Sequence, residues 1–243
     1  MSSPQVTLYG RYYSDCSARL RLAIQLKDIN YKYVAVNDQS AASYTAINPS
    51  GSIPTLVIQE PQSEEGAKNK PKIIIRQSLA ALEYLEERYP PSARQRGLLP
   101  LDTQDRATVR CLMNIIASDI HPLTTARVRR RIYEQFPSPA AEAAAATSNR
   151  KWDRFWIGRG FASYESVVQE KCGMYSVGDS ITLADVCLLP AVWTAEKYGM
   201  SLDEFPTIKR IVDALHCVEA VQRAHWRCQP DTPEEDRIAR PTP

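Results

Sequence analysis

The sequence predicts two modules in series: a mixed β-sheet carrying helices on its faces, then an all-α domain. Three observations predict them. Strand-like and helix-like periodicities alternate through residues 1–90, and from Asp102 onward the apolar stretches carry helical spacing. Between the two, Tyr89, Pro90 and Pro91 stop a helix and open a linker. The modules are therefore placed at residues 1–90 and 102–243, joined by a linker at 91–101.

Taken in order, residues 6–9 read as a strand, 17–27 as a helix with Leu20, Ala23, Ile24 and Lys27 at helical spacing, and 31–36 as a second strand. Residues 55–58 and 73–75 add two short strands, and 78–88 a helix whose Leu79, Leu82 and Leu85 recur every third position. A β-α-β unit followed by β-β-α is the order of a thioredoxin-like fold. The stretch 59–72, rich in charge and without an apolar pattern, reads as a solvated hairpin loop. In the second module, residues 105–117, 140–170, 183–198 and 207–221 read as helices, and the alanine-rich segment 140–146 is strongly helix-forming. Thr182 stands three residues before Asp185, the spacing of a capping box, with Ile181 outside it to staple against Val186. The role of that motif is structural.

Composition narrows the function classes. With 44% hydrophobic residues, the 243-residue chain has material for a real core. A net charge of +2 argues against a nucleic-acid binder, and the basic cluster Arg127, Arg129, Arg130 and Arg131 is expected to be a solvated helix face. The longest apolar runs, at 73–75 and 186–192, fall far short of the ~20 residues that span a bilayer, so no membrane partner is expected. No basic segment followed by an apolar core opens the chain, so a cytoplasmic location is expected. The six cysteines contain no Cys-x-x-Cys pair and are expected to be free thiols. The three histidines form no metal-ligand spacing with them, so no metal is expected.

The chemistry-bearing segment is Ser14, Asp15, Cys16, Ser17, Ala18, Arg19, where the first strand should turn into a helix. Unpaired N–H groups and the positive end of the helix dipole point at whatever binds such a turn, which suits an anion. Cys16 is open to two readings, a small packing residue or a reactive thiol. No resolving cysteine lies within the turn, which disfavours glutaredoxin-like exchange.

Residues 14–21 resemble the Ser-Ser-Cys-Ser-x-Arg-x-Arg turn of zeta-class glutathione transferases, the class that includes maleylacetoacetate isomerases. Residues 48–56 resemble that family's Asn-Pro-x-x-x-Val-Pro-Thr-Leu segment. Gln77 and Ser78 with the Leu-Ala after them, the capping segment 177–185, and the tail Cys228, Gln229, Pro230, Asp231, Thr232, Pro233 also match. The resemblance covers nearly the whole chain. It implies the cytosolic glutathione transferase fold, glutathione as coenzyme and a homodimer.

It also implies roles. Ser14 becomes the hydroxyl donor to the sulfur of glutathione, with Cys16 and Ser17 as further catalytic candidates. Ile53, before an expected cis Pro54, pairs its backbone with the cysteinyl unit of the tripeptide. Gln77 and Ser78 hold the γ-glutamyl carboxylate, a plain N-cap being the other role open to Ser78. His121 stands where the family carries glutamine and is either a glutathione contact or structural. Arg11, Arg19 and Lys197 are the candidate substrate cations; Lys197 replaces a family arginine and so loses the two-pronged grip. Asp15 replaces a serine and is expected to point away from the sulfur. The implied activity is glutathione-dependent cis-trans isomerisation of maleylacetoacetate-like diketo acids, in tyrosine and phenylalanine catabolism, with transferase activity on small α-haloacids. The other reading is a transferase-fold module that binds partners without chemistry.

Overall fold

The computed structural model describes residues 3–61, 72–92, 97–135 and 139–238, with the backbone alone at 133 and 139–149. Most of the expected loop at 59–72 and part of the linker at 91–101 lie outside the described residues. The chain divides into two units, residues 1–97 together with 216–243, and residues 98–215. The last segment thus groups with the sheet, whereas the sequence reading assigned it to the helical domain.

The first unit opens with β1 (Gln5–Gly10), α1 (Asp15–Leu26), β2 (Tyr31–Ala35), the single turn α2 (Ala42–Thr45), β3 (Thr55–Gln59), β4 (Ile73–Ile75) and α3 (Ser78–Arg88). The sheet runs β2-β1-β3-β4, with β1 and β2 parallel and the other two pairs antiparallel. Alternation in β1 buries Val6 and Leu8, and Leu8 faces Leu56 of β3 in register. Residues 55–58 of β3 are buried throughout, as suits an inner strand covered on both sides. Helix α1 packs on α3, and its apolar face carries Leu20, Ala23 and Ile24 into the core. Lys27, which helical spacing placed on that face, is indeed buried there. Its Nζ lies 2.8 Å from Glu86 Oε2 and donates to the Tyr89 carbonyl at 2.7 Å, so the charge enters the interior already partnered.

The second unit consists of α4 (Thr103–Asn114), a π-helical segment Ile115–Ile120, α5 (His121–Thr124), α6 (Ala126–Gln135), α7 (Pro139–Val168), α8 (Leu183–Lys197) and most of α9 (Pro206–His216). Asp102 caps α4 by accepting from the N–H groups of Gln104 and Asp105. Helix α8 is buried from Leu183 to Ala195 with Pro190 inside it, and is entered through the expected capping box. Asp185 Oδ2 accepts from the Thr182 N–H at 2.7 Å and hydroxyl at 2.9 Å, while Oδ1 takes the Ser176 N–H at 2.9 Å. The basic cluster departs from expectation at one residue. Arg130 and Arg131 are exposed and face Glu134, but Arg129 turns inward and sits 2.7 Å from the buried Asp153 carboxylate.

The tail returns to the first unit as α10 (Glu219–Ala224), which packs on α1. The segment after it is held by its own polar contacts: Gln229 Nε2 donates to the carbonyls of Arg223 and His225, and the Thr232 hydroxyl to that of Trp226. Among the described residues no helix is long and apolar enough to cross a membrane.

Candidate functional site

Strand β1 ends at Gly10, and a tight turn of residues 11–14 delivers the chain into α1. Gly10 is required by closeness: a Cβ there would stand 2.9 Å from Ser17 Oγ. The turn is closed by the Ser14 N–H donating to the Arg11 carbonyl at 3.2 Å. Buried Arg21 reaches back from α1 and donates to the carbonyls of Arg11 and Tyr12 at 3.1 and 2.9 Å, and to that of Ala224 at 3.1 Å. Burial pulls the Arg21 pKa below that of a free guanidinium, opposed by the field of Tyr33, Tyr31 and Asp231.

Ser14 is the N-cap of α1, and its Oγ accepts from the Ser17 N–H at 3.2 Å. A hydroxyl carries two lone pairs and one proton, so a cap that accepts through a lone pair still has its proton to give. That proton is offered at a helix N-terminus, where the dipole favours negative charge. Cys16, half-buried, follows in the first helical turn.

The second element is the start of α3. Gln77 occupies the N-cap position without a side-chain cap, and Ser78 is the first helical residue. Ser78 is therefore not the plain N-cap, and the first-turn N–H groups remain for an external acceptor. The third element is the loop before β3. Asn48 Nδ2 donates to the Ser52 carbonyl and to Thr55 Oγ1, and the Tyr44 hydroxyl also reaches the Ser52 carbonyl. These bonds hold out Ile53, whose peptide to Pro54 is cis as expected. Among the described residues neither the N–H nor the C=O of Ile53 has a hydrogen-bond partner. A peptide ligand has there the pair of groups that an antiparallel strand would use.

Two expectations are corrected. Ser17 is fully buried, with its Oγ accepting from the Arg11 N–H at 3.3 Å, so its hydroxyl braces the turn and cannot meet a ligand sulfur. Arg19 is 2% exposed and faces inward. Its Nη1 donates to Ser78 Oγ at 3.3 Å and contacts Cys16 Sγ at 3.7 Å, so it links two parts of the site and is no exposed substrate cation. Arg11 is exposed on the turn. His121 and Lys197 belong to the second unit: the His121 N–H bonds the Ile116 carbonyl across the π-helical turn, and Lys197 is the exposed last residue of α8.

Asp231 lies against this turn, a placement the sequence reading does not anticipate. Its Oδ2 accepts from the Tyr12 N–H at 2.9 Å and from the Tyr33 hydroxyl at 3.3 Å, and Trp226 lies against the rings of Tyr12 and Tyr13. Burial first, then the neighbouring Asp231 carboxylate, push the Tyr33 pKa well up against the pull of Arg21. The tail motif was visible in the sequence, but nothing in it named a partner 219 residues away.

Residues 8–93 match the glutathione S-transferase N-terminal domain family and residues 129–223 the C-terminal domain family. The chain is similar to a maleylacetoacetate isomerase of Aspergillus fumigatus, at 45% identity over 98% of this chain and 97% of that one. It is also similar to the maleylacetoacetate isomerase of Rattus norvegicus, at 37% identity over 98% and 100%. Among solved structures it resembles a maleylacetoacetate isomerase from Anaeromyxobacter dehalogenans carrying dicarboxyethyl glutathione and citrate in its active site. The TM-score is 0.79, with 34% identity over 98% and 99% of the two chains. A maleylpyruvate isomerase described as a bacterial zeta-class glutathione transferase gives a TM-score of 0.78, at 33% identity over 93% and 100%.

Proposed function

Because the chain belongs to the zeta-class glutathione transferases, the maleylacetoacetate isomerase family, we propose that it is a glutathione-dependent cis-trans isomerase of maleylacetoacetate-like diketo acids. The observation that carries this reading is the Ser14 hydroxyl, which caps α1 through a lone pair and keeps its proton for an anion.

The residues present fit glutathione. Ile53 offers the cysteinyl unit an N–H and a C=O that are unpaired among the described residues, and the start of α3, with Gln77 and Ser78, suits the γ-glutamyl carboxylate. When bound, glutathione supplies the thiolate that adds to the conjugated double bond and later leaves it, with rotation about the single bond in between. The chain's own contribution is to keep that sulfur ionised. The Ser14 O–H donates to it, and the N-terminus of α1 adds a favourable field. Cys16, in the first turn of α1, is assigned as a further contact, and Lys197 is the cation assigned to a substrate carboxylate.

The same activated sulfur would displace halide from small α-haloacids. The finer assignments follow the same reading: a place in tyrosine and phenylalanine catabolism, a cytoplasmic location and a homodimer. The deciding assay is isomerisation of maleylacetone by the purified chain with and without glutathione. Turnover that requires glutathione and does not consume it is expected. Tight glutathione binding with no turnover would overturn the enzymatic reading in favour of a binding module.

A further inference from the structure

The turn that presents Ser14 is fixed at almost every backbone polar group. Ser17 Oγ takes the Arg11 N–H, Arg21 takes the Arg11 and Tyr12 carbonyls, and the Ser14 N–H closes the turn on Arg11. These anchors come from α1 and the turn itself. The Tyr12 N–H is different: it is held at 2.9 Å by Asp231, which lies 219 residues further along the chain. We propose that Asp231 is a positioning residue for the reaction, holding the residue 11–14 turn so that the Ser14 hydroxyl meets the sulfur of bound glutathione.

The carboxylate is placed for that task at some cost to itself. Both donors, the Tyr12 N–H and the Tyr33 hydroxyl, converge on Oδ2, while Oδ1 is buried and has no hydrogen-bond partner among the described residues. A buried carboxylate oxygen left without a donor is unfavourable. A residue selected only to seal the tail against the sheet would be better served by an apolar side chain. The carboxylate also sits in a braced seat. Trp226 packs on Tyr12 and Tyr13, Thr232 bonds back to the Trp226 carbonyl, and Arg237 donates to the Thr232 carbonyl at 2.7 Å. Released from Asp231, the turn would pivot on the carbonyls held by Arg21, and Ser14 lies two residues beyond the pivot. Displacements of about 1 Å at a catalytic donor can cost as much as a hundredfold in rate.

The inference rests on the reading that Ser14 stabilises the bound thiolate, and the experiment separates the two. The pH at which enzyme-bound glutathione ionises is followed by the ultraviolet absorbance of the thiolate, alongside kcat and KM for maleylacetone. Ser14→Ala, Asp231→Ala, Asp231→Asn, Asp231→Glu and Thr232→Val are compared with the parent chain. Asp231→Ala is expected to lower kcat about tenfold or more and to move the ionisation to higher pH. Asp231→Asn keeps an acceptor oxygen in place and is expected to recover most of both. Asp231→Glu keeps the charge but displaces the acceptor by one methylene, and is expected to shift the profile even if Asp231→Ala does not fold. Thr232→Val loosens the seat of Asp231 while keeping its carboxylate, and is expected to lower Tm and to shift the ionisation in the same direction by less than Asp231→Ala does.

If Ser14→Ala leaves the ionisation unchanged, the reading of Ser14 fails and the inference with it. If Ser14→Ala shifts it but Asp231→Glu and any folded Asp231→Ala do not, Asp231 is only a structural clamp and the proposal alone is overturned. Asp231→Asn as impaired as Asp231→Glu would likewise overturn it, since geometry would then not be what Asp231 supplies.

Discussion

Arg19 donates from Nη1 to Ser78 Oγ at 3.3 Å while lying 3.7 Å from Cys16 Sγ, so one buried guanidinium joins the beginnings of α1 and α3. The sulfur of the tripeptide and its γ-glutamyl carboxylate are the two groups proposed to meet those two helix starts. Arg19→Met is expected to weaken glutathione binding about tenfold, near 1.4 kcal/mol, because Ser78 loses its donor and orientation. Arg19→Lys should fall between, since an ammonium has the charge but not the fork. Calorimetric titration of glutathione checks this; full affinity in Arg19→Met would show that Ser78 is held by other means.

Ser14→Ala removes a cap and a proton donor together. Turnover is expected to fall about a hundredfold, the scale of one preorganised donor, with glutathione affinity largely kept. Loss of the cap should also cost about 1 kcal/mol of stability. Steady-state kinetics and urea denaturation of one preparation report both quantities.

Asp185 carries the entry to α8 and lies in the interior, where burial raises its pKa against the pull of the Ser176 and Thr182 donors. Asp185→Ala strands those donors and is expected to cost about 3 kcal/mol. Asp185→Asn, which keeps acceptor capacity, should cost visibly less. Chemical unfolding of the two variants gives the comparison.

His225 supplies a pH dependence of stability with a definite sign. Burial first, then the charges of His216, Arg227 and Arg21, lower its pKa from 6.5 to about 4. Its Nδ1 accepts from the Arg227 N–H, which only an unprotonated Nδ1 can do. The unfolded chain takes up the proton near pH 6.5 and the folded chain not until about 4, so the stabilisation is full above pH 6.5. It is lost as the pH falls through that window. A loss of about 1–2 kcal/mol is expected, discounting for the solvent the ring retains. His225→Asn, with an amide oxygen in place of Nδ1, should flatten the Tm profile between those pH values.

Lys197→Arg restores a planar two-pronged cation at the exposed end of α8. A lower KM for maleylacetone with kcat nearly unchanged is expected. Unaltered kinetics would place the substrate carboxylate elsewhere.

The fold was legible where periodicity and punctuation agree. Strand β4 and helix α3 fall on the expected residues, and the Thr182–Asp185 box was readable from spacing alone. What escaped was long-range or local in ways periodicity does not encode. Helical spacing put Ser17 and Arg19 on α1 but did not say that both would be buried, because the buried arc of α1 is wide and is covered by α3 and α10. The π-helical turn before His121 leaves the apolar pattern nearly unchanged, so a plain helix was the natural reading. Asp231 carries no signal until Tyr12 and Tyr33 are seen against it. Of the site, residue types and segments were readable; which side chains face outward was not.

The sheet-bearing unit is discontinuous, residues 1–97 completed by 216–243, whereas the helical unit is one uninterrupted stretch. A ribosome releases these pieces in chain order. Nascent chains halted after the helical stretch would therefore carry the first strands and α1 with the Arg21 guanidinium lacking its Ala224 acceptor and the Tyr12 amide unclaimed. Residues 216–243 must be made before the portion made first can mature, and glutathione capture by stalled intermediates of graded length should appear only once that segment has emerged.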